Sequence, residues 1–186
     1  MTESARHGVD ARRAATAADV IPFKQAVWRG HRRRFGALDP GGSLLRSGRF
    51  HQAIDQIPNG PTWPALYTAC DLAGALGEIQ RSIVRQDDLI EFRFTEIWAQ
   101  LERVMDCRDI DAVGLRFEDL FDDYDYAPGQ ALGLAAIEHE VEALLVSSAT
   151  RLGDNLIVFP QLLLPGSVLV EVRSIDPNLV KRSSSP

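Results

Sequence analysis

Apolar residues along this chain come in short runs whose spacing keeps changing. The longest runs, around Asn155–Leu164 and Ser167–Val172, are strand-sized, whereas crossing a bilayer takes roughly 18–20 apolar residues. Runs this short hide their faces only by packing on one another, so the sequence calls for a shared core. Its 186 residues suit one domain on the usual scale of about 100–200 residues. A body of that size buries about 70% of its unfolded surface without covalent staples. Arg6, Arg12 and Arg13 have no apolar stretch behind them, so no secretory signal is expected. The expectation is a soluble, cytoplasmic protein with no membrane contact: an N-terminal extension over 1–20, a folded domain over 21–181 and a disordered tail over 182–186.

The spacing predicts the elements. Val27–Asn59 holds many Gly and Arg with little periodicity, which predicts short strands and turns. Ala65–Ala69 reads as a short buried strand. Asp71 then stands as an N-cap, and Leu72, Leu76, Ile79 and Ile83 repeat at helical spacing up to about Val84. Ile90–Ile97 alternates as a strand does, and Trp98–Val104 either continues it or turns helical. Gln130–Val146, with Leu134, Ile137, Val141 and Leu145 as a stripe, predicts a long helix. Leu156–Pro160 and Val168–Val172 predict two late strands. Without regular βαβ alternation or an internal repeat, the order fits an α+β fold better than a doubly wound α/β one.

Composition and motifs exclude several functions. Lys and Arg number 20 against 26 Asp and Glu, a net charge of −6, so a general phosphate-backbone binder is not expected. The basic stretch His31-Arg32-Arg33-Arg34 has no interleaved aromatic residues to stack bases and reads as a solvated face. Cys70 and Cys107 are too few for a disulfide framework and match no zinc spacing, which fits a reducing compartment. His139-Glu140 lacks a second histidine one turn on, where Ala143 stands, so Glu138, His139 and Glu142 read as a solvated helix face. In the acidic loop with Asp122, Asp123 and Asp125, Pro128 replaces the glycine a calcium loop needs, so no metal is expected. Neither a phosphate-binding loop, a dinucleotide fingerprint nor a nucleophile elbow is present.

One set of residues resists a bland reading. Arg29 and Arg49 lie in the Gly-rich N-terminal part, Tyr67 on the short buried strand, and Glu78 on the helix after it. Glu78 borders the apolar stripe among small residues, where a carboxylate is costly unless used or paired. It either pairs with Arg81 or Arg85 on the helix surface or serves a ligand.

Taken in order, Trp28-Arg29, Arg46-Ser47-Gly48-Arg49-Phe50, Leu66-Tyr67-Thr68-Ala69, Ala75-Leu76-Gly77-Glu78, Ser147-Ser148 and Asn155 to Phe159-Pro160 resemble the RES-domain family. The likeness spans about Val27 to Pro177, and the distance to Asn155 favours Ser148 over Ser147 as the family serine. The resemblance implies a compact α+β fold related to the ADP-ribosyltransferases, with mixed or antiparallel sheets and flanking helices. It implies an NAD+-degrading enzyme, a glycohydrolase or phosphorylase, acting as the toxin of a toxin–antitoxin pair. A protein ADP-ribosyltransferase and a non-catalytic interaction domain on the same fold are the alternatives, the latter suggested by Gly30 and Phe50. The implied partner is an antitoxin with a helix-turn-helix domain; a homo-oligomer is left open.

On that reading, NAD+ is the substrate and no metal takes part. Glu78 would stabilise the positive charge that builds on the ribose as the nicotinamide bond breaks. Arg29 and Arg49 would hold the pyrophosphate, Tyr67 would stack on the nicotinamide or ribose, and Ser148 would bond the ribose or steady Arg29.

Overall fold

The structure is a computed structural model describing residues 18–54, 62–83, 85–110, 116–122 and 124–177. The expected extension and tail lie largely outside the described residues. Among the described residues, six strands carry the fold: β1 (Asp19–Arg32), β2 (Leu66–Ala69), β3 (Phe92–Asp106), β4 (Ala143–Ser147), β5 (Asp154–Val158) and β6 (Val168–Ile175). The described α-helices that join them are α1 (Gly41–Leu45), α2 (Leu72–Ser82), α3 (Phe117–Phe121) and α4 (Ala127–Glu138). Short 3-10 turns cover Gln86–Glu91 and Pro160–Leu162.

The strands run β1-β2-β5-β4-β3-β6, and a further β1–β3 pairing closes the first five into a ring. Only β3 and β4 are parallel, through Val104↔Ala143 to Asp106↔Leu145. The other pairs are antiparallel. The result is a mixed α+β barrel, as the irregular order of elements implies. β1 and β3 form its backbone, with pairings from Asp19↔Asp106 to Arg32↔Phe92. β1 is therefore one 14-residue strand where weak periodicity suggested short pieces, and Trp98–Val104 continues β3.

Alternation along the strands divides the apolar side chains into layers. Phe23, Val27, Ile97, Leu101, Leu145, Leu156 and Val158 fill the barrel. Leu144, Val146 and Ile157 face outward and meet Leu132, Ala135 and Ala136 of α4. Both faces of β4 are thus covered, which explains its unbroken apolar run. A third layer joins Trp28, Ala69 and Phe94 of the sheet to Ala75 of α2, with Leu72, Leu76, Ile79 and Ile83 packed against it. Helical spacing in that segment was correctly legible, and the Asp71 carboxylate caps α2 by accepting from the Gly74 N–H at 2.7 Å.

The long helix expected over Gln130–Val146 stops at Glu138. Glu140 adopts φ 53°, the chain turns, and Ala143–Ser147 becomes β4 between β3 and β5. Val141 and Leu145 prolong the helical spacing only because a strand buried on both faces is apolar at every position. Glu142, expected on a solvated face, is fully buried. Its Oε2 accepts from the N–H groups of Glu102 and Arg103, and its Oε1 from that of Leu164. Burial opposes its charge, but these donors prevail and hold the carboxyl below the usual carboxylate range.

The basic stretch is largely committed to ion pairs: Arg32 with Glu91 at 2.6 Å and Arg33 with Asp176 at 2.8 Å. Cys70 and Cys107 are free, and burial pushes their thiols up to about 11 and about 12. No helix among the described residues is long and apolar enough to cross a membrane.

Candidate active site

The site lies on the outer face of the barrel, under α2. Registers Trp28↔Ala69, Ala69↔Asn155 and Tyr67↔Ile157 place these five side chains on one face of β1, β2 and β5. α2 roofs that floor with Ala75, Glu78 and Ile79, enclosing a hollow of about 100 Å³. The helix can lie this close because β1 has Gly30 beneath it: a Cβ there would stand 2.4 Å from Ile79 Cγ1.

A second hollow of about 210 Å³ continues outward, sharing Tyr67, Glu78, Asn155 and Ile157 with the first and adding Arg49, Arg81, Phe121 and Tyr126. Together the two sit near the lower end of the roughly 300–1,000 Å³ typical of small-molecule sites.

Glu78 stands where the hollows meet. Its Oε1 accepts from Ser148 Oγ at 2.7 Å and from Asn155 Nδ2 at 2.9 Å. No described hydrogen bond or ion pair ends on its Oε2, so the expected alternative of a surface pair with Arg81 or Arg85 does not form. Ser148 is fully buried, and its hydroxyl also meets Thr150 Oγ1 at 2.7 Å and the Thr150 N–H at 3.1 Å. The turn after β4 thus fixes the serine, and the serine fixes the carboxylate. Ser147 lies outside this network, with its hydroxyl near the Arg108 carbonyl.

Tyr67 contributes its ring, since its hydroxyl is already committed. It accepts from the Phe50 N–H at 2.9 Å and contacts His51 Nδ1 at 2.9 Å. His51 Nε2 lies 2.9 Å from the Arg46 carbonyl, which only accepts, so a neutral His51 carries its proton on Nε2 and accepts a hydrogen bond from the Tyr67 O–H at Nδ1. Burial pushes the Tyr67 hydroxyl well above its usual range.

Arg49 is built into the outer rim. Its Nη1 donates to the carbonyls of Leu120 at 3.0 Å and Asp122 at 2.6 Å. Its guanidinium lies 5.7 Å and 5.0 Å from the ring centres of Phe121 and Tyr126, within cation–π range. Two glycines one turn apart let α4 support it. A Cβ on Gly129 would meet the Arg49 carbonyl at 2.4 Å, and one on Gly133 the Phe50 carbonyl at 2.0 Å.

Arg29 is not brought to this place. It alternates with Trp28 and Gly30 and so leaves β1 on the opposite face, lining neither hollow. Its guanidinium donates to the Ala37 carbonyl and, at 3.1 Å from both Nη atoms, to that of Asp39. Burial lowers its pKa to about 10, against the pull of Asp39 and Glu171. Of the five expected residues, Glu78, Ser148, Arg49 and Tyr67 gather around the hollows, and Arg29 ties down the loop after β1. Sequence reasoning quoted Trp28 and Asn155 as markers but gave them no role. Alternation of Asn155 with Ile157 was the available signal.

Further along the surface, a more open hollow of about 540 Å³ lies between Arg108 and Arg151, bordered by Ser147 and Ser148. Arg108 is neutralised there by Asp106 at 2.5 Å and Asp154 at 3.5 Å. Among the described residues, no three His, Cys, Asp or Glu side chains gather as a metal-holding group.

The fold is a mixed barrel with a braced carboxylate between an aromatic-floored hollow and an arginine-rimmed one. The family model described as the RES domain matches residues 26–177, and the chain belongs to that family. Its fold is similar to a chain in the crystal structure of the M. tuberculosis MbcT–MbcA toxin–antitoxin complex. The TM-score is 0.77 at 24% identity, covering 97% of both chains. No curated protein sequence matches this chain.

Proposed function

We propose that the protein degrades NAD+ and acts as the toxin of a toxin–antitoxin pair. The observation that carries this reading is Glu78: one oxygen is held by Ser148 and Asn155, and the other is left for a ligand at the junction of two hollows. When the nicotinamide–ribose bond breaks, its electron pair leaves with the ring, which departs neutral, and positive charge spreads over the ribose. A fixed carboxylate beside that centre favours the transition state over the ground state, because its orientation is set in advance. Ser148 and Asn155 supply that fixity. The inner hollow, with Trp28 and Tyr67 on its floor, suits the planar nicotinamide, and the outer hollow, with Arg49 on its rim, suits the pyrophosphate. Water or phosphate then attacks the ribose carbon. Arg29 has a positioning role in this reading, holding the loop against β1.

The ADP-ribosyltransferase kinship of the fold belongs to the same proposal, as does a partner antitoxin carrying a helix-turn-helix domain. An antitoxin is supported by the similar fold having been crystallised in a toxin–antitoxin complex. The test is nicotinamide release from NAD+ by the purified protein, with and without phosphate. Release by the wild type and its loss in Glu78→Gln are expected; intact NAD+ under both conditions overturns the reading.

A further inference from the structure

We propose that Asn155 makes the site selective for a carboxamide, so that nicotinamide dinucleotide is taken and its nicotinic-acid counterpart refused. This rests on the function proposed above and deepens it. The Asn155 amide has its orientation settled by its neighbour: a carboxylate only accepts, so the group facing Glu78 Oε1 at 2.9 Å is the Nδ2 donor. Oδ1 therefore points elsewhere. It is buried, and no hydrogen-bond partner reaches it among the described residues, a situation native structures rarely leave uncorrected. The residue is only 9% exposed and lines both hollows.

The other polar side chains beside the inner hollow are spoken for. The Tyr67 hydroxyl is bound to Phe50 and His51, and the Thr68 hydroxyl donates to the Leu156 carbonyl at 2.7 Å. Asn155 Oδ1 and Glu78 Oε2 remain as acceptors, with the Trp28 indole N–H beside them as a donor. Two acceptors in a largely apolar hollow suit a ligand that brings N–H donors and positive charge. Nicotinamide still attached to ribose brings both. Nicotinic acid replaces the amide donor with a carboxylate, which meets the Asn155 acceptor oxygen and the like charge of Glu78. A site built for a donor rejects an analogue lacking it far more strongly than it rejects a change in size.

The experiment compares kcat/KM for NAD+ and for nicotinic acid adenine dinucleotide, in the wild type and in Asn155→Ala. The wild type is expected to prefer NAD+ by at least about 100-fold, and the variant to lose most of that preference. Losing the Glu78 hydrogen bond slows both substrates alike, so the ratio isolates recognition from positioning. Equal use of the two dinucleotides by the wild type, or an unchanged ratio in a folded variant, overturns the proposal. Thermal melting provides a second measure that needs no turnover and no variant: nicotinamide is expected to raise the wild-type Tm and nicotinate to leave it unchanged. Equal shifts overturn the assignment. Selective stabilisation by nicotinamide without any NAD+ loss supports the amide site while overturning the proposed reaction.

Discussion

Glu78 and Glu142 are both drawn in from the surface, and their partners separate them. Glu142 receives three backbone N–H groups, shared between both oxygens, from β3 and from the segment before β6. Both oxygens are bonded and the residue is fully buried, so the carboxylate acts as a pin between a strand and a loop. Glu78 receives two side-chain donors on one oxygen, has no described partner on the other, and lines two hollows. A buried charge wholly bonded to backbone secures the fold, because losing it strands several amides. A charge bonded on one side only is held ready for something that is not part of the chain. The number of satisfied oxygens, together with the fuller burial of Glu142, separates the structural carboxylate from the one proposed to act.

The sharpest way to break this contrast is to neutralise each in turn. Glu78→Gln keeps an acceptor for Ser148 and Asn155, so the fold should hold, while nicotinamide release should fall at least about 1,000-fold, as when a preorganised electrostatic partner is removed. Urea unfolding of the same variant should show less than about 1 kcal/mol of change. Glu142→Gln should do the reverse. Its amide brings donors toward backbone donors, and a loss of about 3 kcal/mol is expected, with kcat/KM per folded molecule within about threefold of the wild type. A stable Glu142→Gln protein, or a Glu78→Gln protein that unfolds, would dissolve the distinction.

Acid provides a third probe of the pair. The folded-state pKa of Glu142 is depressed, so its contribution is complete above the unfolded value near 4.3 and is lost as pH falls through the folded value. Wild-type stability should therefore decline below about pH 4 more steeply than that of Glu142→Gln, as followed by urea midpoints across pH.

How much of this was legible beforehand depends on what kind of information each residue carried. Asp71 and the spacing from Leu72 to Ile83 are local signals, and they gave α2 and the place of Glu78. Glu142 was misread because the helical stripe runs on through Val141 and Leu145, and only pairing with β3 and β5 shows that the segment is a strand. Arg29 stands apart from the two hollows for a related reason. A motif records that it follows Trp28, but on a strand adjacent residues face opposite ways, and which face receives α2 is a tertiary fact. Asn155 lay in plain view, yet nothing in sequence reveals that its carbonyl oxygen lacks a partner.

The two arginines offer the gentlest version of the contrast. Arg49 lies on the outer hollow, braced by the Leu120 and Asp122 carbonyls and two aromatic rings. Arg49→Ala should raise the KM for NAD+ about 10- to 100-fold, the scale of one charge-assisted contact to phosphate. Arg29 binds only carbonyls of its own chain among the described contacts. Arg29→Ala should cost about 1–2 kcal/mol of stability through the loop it anchors and leave KM within about threefold. Steady-state kinetics beside urea unfolding separates the outcomes. If Arg29→Ala raises KM while Arg49→Ala does not, the dinucleotide enters from the opposite face of β1, and the cleft under α2 is not where it binds.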